Sequence, residues 1–228
     1  MWIIILAAGS GMLYSTTMVA RNGLIAIGKS PRKANRLAVG VLGSLSAWLI
    51  ISSSAAGWGL YKQSERGAIP WVAVSLTAAL AVMLFFASIK PFGELAGVKV
   101  ASGLITPQMY RVVGVVFLIL FAVNELPPVL AISAGVGDLA IGVYAPIVAK
   151  KVASGESTGR LFNTLGLLDL LNVTIITYTL SPGPLTPFQS APDASAMAVL
   201  PMSILTTVAV PLAATLHIKS IRAVRLGD

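Results

Sequence analysis

Seven apolar stretches separated by short polar connectors run through the chain, at about 2–20, 37–58, 69–89, 107–128, 132–149, 161–180 and 196–216. Each is long enough, at about 1.5 Å per helical residue, to cross a hydrocarbon core of roughly 30 Å. No heptad run, Gly/Ser linker or clear internal repeat interrupts the pattern. It predicts an all-α fold: a polytopic membrane protein of seven transmembrane helices forming a single domain over residues 1–228. The first stretch lacks the positively charged opening of a signal peptide and reads as a span.

Charge sharpens this reading. Only 11% of the residues are charged and 56% are hydrophobic, whereas a soluble domain carries about 25% charged residues. With seven spans, every basic residue except Lys62 and Arg66 lies on one side. The positive-inside rule then predicts the N-terminus outside and the C-terminus cytoplasmic. The net charge of +8 is accounted for by orientation, so no nucleic-acid partner is expected. The chain has no cysteine and one histidine. That excludes thiolate metal sites, iron–sulfur clusters, c-type haem, and bis-histidine haem or multi-histidine zinc within one chain. The seventh stretch lacks a Schiff-base lysine, and GxSxG, HExxH and Walker strings are missing. Neither cofactor nor metal is expected, and the enzyme question leans to no. Membrane lipids are the expected surroundings.

Local signals place helix ends and contacts. Gly40 with Ser44, and Gly43 with Ala47, recur at spacing four, which predicts a face for close helix contact. Thr106-Pro107 reads as an N-cap followed by proline at the first helical position, so 90–103 reads as a loop. Pro127 and Pro128 carry no amide hydrogen, so the fourth helix must kink, unwind or end there. Gly135, Gly137 and Gly142 mark the fifth stretch, read as short and glycine-rich.

Five polar positions carry the candidate chemistry, each with two readings. Asp169 lies roughly 12 Å from the inner end of the sixth stretch, near mid-bilayer, with Asn172 three residues on. It is either a proton- or cation-binding group or a hydrogen bond between helices. Glu125, beside Asn124 and the two prolines, either uses freed carbonyls in a cation or proton site or sits in the headgroup region. Asp138 either belongs to an outer-side polar group or satisfies amides in the first turn of the fifth helix. Arg111, one turn into the fourth stretch, either snorkels to lipid phosphate, the favoured reading, or pairs with an acid from a neighbouring helix. His217, at the inner end of the seventh, is read as an interfacial hydrogen-bonding group or a cation at the helix C-terminus, over a ligand or proton relay.

Two resemblances follow from these residues. Gly135-Val136-Gly137-Asp138 resembles the GxGD string of intramembrane aspartyl proteases. That family needs a second aspartate on a preceding helix, and here Asp169 follows instead. The run from Gln108 through Arg111, Gly114, Pro127, Gly135–Asp138, Gly142, Asn163, Gly166 and Asp169 to His217 resembles a group of uncharacterised bacterial multi-span membrane proteins. This second resemblance covers roughly the C-terminal half and implies a bacterial inner-membrane location without an activity. Three functions are thus in view. The first is a small transporter or ion/proton-translocating protein centred on Asp169. The second is a non-catalytic accessory or assembly subunit of a larger membrane complex; other membrane subunits, or a second copy as homo-oligomer, are the protein partners in view. The third is an intramembrane protease, which requires Asp138 and Asp169 to face each other.

Overall fold

A computed structural model describes residues 1–62, 69–182 and 190–225. Among these the chain is helical without a β-strand. Seven helices are long and apolar enough to cross a membrane: α1 (Trp2–Ala26), α2 (Pro31–Gly57), α3 (Trp71–Ser88), α4 (Val98–Ala122), α5 (Pro128–Ala153), α6 (Arg160–Leu180) and α7 (Met202–Arg225). Arg66, named above for its side of the membrane, falls outside the described residues.

The bundle is built around α4 and α7. Of the apolar core of each helix, 78% is buried in α7 and 56% in α4, against 17% in α2 and in α3. The most apolar of the seven, α3, is thus among the least buried. Phe85, Phe86, Leu161 and Ile175 stand exposed, while Gln108, Arg111, Asn163, His217 and Ser220 are buried. Apolar outside and polar inside inverts the arrangement of a water-soluble domain and suits a chain surrounded by hydrocarbon.

The helix ends correct the reading at three places. First, α4 begins at Val98, within the stretch read as a loop. Gly97, at φ 94°, turns the chain into it. Thr106-Pro107 is no start. Proline's missing amide cannot complete an α-helical bond to the turn before it, and the helix tightens to 3₁₀ geometry over Thr106–Gly114 before resuming at Val115. Second, α4 ends at Ala122, and Asn124 makes the turn with φ 58°. Pro127 and Pro128 do not close α4. They open α5 as N-cap and first residue, where a missing amide costs nothing. The fifth helix therefore runs over 26 residues, and Gly135–Asp138 lies well inside it. Third, α7 continues through His217 to Arg225. Lys219 Nζ donates to the Gly93 carbonyl, and Arg222 to Ser88 Oγ. Its basic end is clamped on the α3–α4 connector.

The α2 contact face is also corrected. Gly40 and Gly43 are exposed, and a methyl added to either would meet nothing within 4 Å. What binds α2 to α7 is polar. Pro211 lacks the amide that an α-helix would direct at the Thr207 carbonyl, and the chain forms a π-helical turn over Leu205–Ala209. Trp48 Nε1 donates to that carbonyl at 2.8 Å. Ser52 joins the Thr207 and Tyr61 hydroxyls nearby. Trp48→Phe strands the carbonyl and is expected to lower stability by about 1–3 kcal/mol. Thermal unfolding in detergent monitored by circular dichroism checks this; an unchanged midpoint would show that the bond contributes nothing.

Candidate functional site

The tightened segment of α4 creates the site. With three residues per turn, Gln108, Arg111 and Gly114 stack along one line facing α5, α6 and α7. Arg111 is 5% exposed. Its Nε donates to Asp138 Oδ1 of α5 at 2.7 Å, and its Nη2 pairs with the Asp169 carboxylate of α6. Nη1 reaches the Gly166 carbonyl and His217 Nε2 of α7, each at 3.4 Å. One guanidinium thus ties four helices together at their middles. Its planar fork allows this; an ammonium is a single point charge.

Glycines open the space. A methyl on Gly137 would overlap the Asp169 carboxylate, and one on Gly166 would overlap the His217 ring. Gly135 sits against Leu118 and the Gly114 carbonyl, so α5 approaches α4 closely one turn from the ion pair.

His217 has a defined tautomer. The Asn163 amide nitrogen donates to the Gly159 carbonyl, which can only accept, and to Ser220 Oγ. Asn163 Oδ1 is therefore the acceptor facing His217 Nδ1, at 2.8 Å. The ring proton lies on Nδ1, and the Nε2 lone pair faces Arg111. Ser220 passes its own proton to the Ala101 carbonyl at 3.1 Å. Gln108, fully buried, donates to the Ala213 carbonyl at 3.1 Å; its Oε1 has no hydrogen-bond partner among the described residues.

The chemistry follows from charge counting. Two carboxylates face one guanidinium, so with both ionised the cluster carries one net negative charge. Each carboxylate uses one oxygen on Arg111, leaving Asp138 Oδ2 and Asp169 Oδ1 without hydrogen bonds among the described residues. Both side chains are 16% exposed. An uncompensated charge at this depth is costly, and a proton or a bound cation would neutralise it.

The structure gathers Asp138, Asp169, Arg111 and His217 and leaves the other candidates apart. Asn172 is exposed and donates to Ser133 Oγ at 2.7 Å, on the α5–α6 seam one turn further out. Asn124 and Glu125 are exposed in the α4–α5 turn. Arg111 does not snorkel, because it lies mid-helix and gives four of its five N–H groups to protein acceptors. His217 is internal for the same reason of register. Asp138 and Asp169 are neighbours, but a guanidinium stands between them, where an aspartic dyad would share a proton directly. Gln108, Asn163 and Ser220 have site roles that the polar readings above did not assign. Their signal is spacing: Gln108-x-x-Arg111-x-x-Gly114 in α4, and Asn163, Gly166, Asp169 and Asn172 at intervals of three in α6.

Fold and site together define a class: an all-helical bundle of seven membrane-length helices around a buried arginine–aspartate–aspartate cluster. The chain belongs to the family described as Domain of unknown function (DUF8737), which matches residues 69–225. That match contains α3 to α7 and every residue of the cluster, and leaves α1 and α2 outside. No curated protein and no solved structure matches the chain.

Proposed function

We propose that the protein is a small integral membrane transporter or proton-translocating protein whose working group is the Arg111–Asp138–Asp169 cluster. The observation that carries this reading is the odd charge. A purely structural ion pair at mid-helix would be balanced, whereas this one holds a carboxylate in excess and keeps an oxygen of each acid without a hydrogen bond among the described residues. The sorting of basic residues supports an N-terminus outside and a C-terminus in the cytoplasm, and the resemblance above supports a bacterial inner membrane.

Asp169→Asn removes the excess charge while keeping the side chain's shape. Proton flux into proteoliposomes, driven by an imposed membrane potential and read with an entrapped pH dye, is expected to fall about tenfold or more, as when a positioned proton-transfer group is lost. Flux equal to that of the native protein would sink the assignment.

A second reading, an accessory subunit docking against a larger membrane complex, is favoured by the open small-residue face of α2 at Gly40 and Gly43. Purification from native membranes in mild detergent separates the two. Stoichiometric co-purification of another complex supports the second, and a lone monomer counts against it.

A further inference from the structure

One cavity of the bundle ends on this cluster. A cleft of about 70 Å³ is walled by Ile5 and Met12 of α1, Leu170 and Val173 of α6, and Ile204 and Val208 of α7. Among the described residues, its charged lining residues are Arg111 and Asp138. Leu6 and Ser10 of α1 also line it and are exposed, so it reaches the apolar outer surface of the bundle. At its other end it shares Thr177, Tyr178 and Met197 with a wider cavity at the end of the bundle where Glu125 and Asp193 lie. The Tyr178 hydroxyl, in that shared wall, is buried with no hydrogen-bond partner among the described residues.

The chemistry of the end wall selects an occupant. Arg111 gives four of its five N–H groups to protein acceptors, leaving one on Nη2. The group that the cleft offers is Asp138, whose Oδ2 accepts no hydrogen bond among the described residues. A ligand must therefore donate a hydrogen bond there. The cluster's net negative charge favours a cationic donor over a neutral one and opposes an anion. The remaining walls are largely aliphatic, and at about 10–15 Å³ for each enclosed water the free space holds a small head and a short run of methylenes, the rest reaching out past Leu6 and Ser10.

We propose that the cleft binds a lipid-soluble organic ammonium, with an N–H on Asp138 Oδ2 and its apolar substituent between α1 and α6. This names the substrate class for the transport reading above and rests on it, but the test is a binding measurement that needs no flux. The full-length protein in nanodiscs is irradiated with dodecylamine carrying a diazirine on its chain, and cross-links are mapped by peptide mass spectrometry. Labelling is expected within residues 5–13 and 170–178, protected by excess unlabelled dodecylamine. It is expected to fall about tenfold or more in Asp138→Asn, the size of a lost hydrogen bond to a charged group.

The diazirine derivative of dodecanol, used on the native protein, supplies the control that needs no variant. Weak or unprotected labelling by the alcohol supports the ammonium site. Equal, protectable labelling by amine and alcohol overturns it, as does the absence of protectable labelling in α1 and α6. Selective amine binding together with unchanged flux in Asp169→Asn would overturn the transport reading and leave this site standing.

Discussion

Arg111→Met is expected to destabilise the protein by about 3–5 kcal/mol, the penalty for removing one partner of a buried ion pair, and to lower its unfolding midpoint by roughly 10 °C. Methionine fills much the same space, so the cost comes from charge. It leaves Asp138 and Asp169 beside each other with no counter-ion, and it withdraws donors from the Gly166 carbonyl and from His217 Nε2. Arg111→Lys is expected to fall between the two, because one ammonium cannot span both carboxylates as the fork does. The decisive comparison is the triple variant Arg111→Met, Asp138→Asn, Asp169→Asn. Neutral amides no longer need the guanidinium, so most of the lost stability should return while proton flux stays absent. Thermal unfolding in one detergent, followed by intrinsic fluorescence and circular dichroism, measures all three. Should Arg111→Met melt with the native protein, or the triple variant melt no higher than the single one, the cluster does not hold the fold together as an ion pair.

The seven helices were legible because a hydropathy pattern needs only length and apolarity, and both survive whichever way a helix faces. The site was less so, and register explains why. The interior helices of this bundle carry its polar residues. Thr106-Pro107 in α4 and His217 in α7 therefore looked like ends when they lie within helices. Starting α4 at Val98 instead of Thr106 moves Arg111 from the first turn to the middle, and its partner changes from lipid phosphate to two aspartates. Extending α7 to Arg225 brings His217 inside in the same way. Asp169 needed no such correction, since α6 runs where its apolar stretch predicts. The α2 glycines misled for a different reason. A small-residue stripe shows where another helix is able to approach closely, not that one does. The glycines facing the cluster were informative, because beside each stands a side chain that needs the room.

Gly142→Ala is expected to force α4 and α5 apart beside the cluster. The added carbon would lie 2.6 Å from the Val112 amide nitrogen and 3.0 Å from the Arg111 carbonyl carbon. At Gly137 and Gly166 the obstruction is a side chain, whereas here it includes the backbone of the 3₁₀ segment itself. Relief requires α5 to back away from α4, or the segment to shift, and either moves Arg111 relative to Asp138 and Asp169. Overpacking of this kind costs about 1–3 kcal/mol, and the rigid obstruction puts Gly142→Ala at the upper end. Its effect on proton flux should exceed what the stability loss implies, because a small displacement of a positioned group is enough to impair its chemistry. Gly40→Ala is the matched control. It adds the same methyl to a helix glycine with nothing within 4 Å, and its stability should stay within about 0.5 kcal/mol of the native value. Measured side by side, equal melting of the two variants would mean that α4 and α5 do not approach at Gly142 as closely as this packing requires. A Gly142→Ala protein that melts low but conducts normally per folded molecule would separate the close approach from the positioning of Arg111.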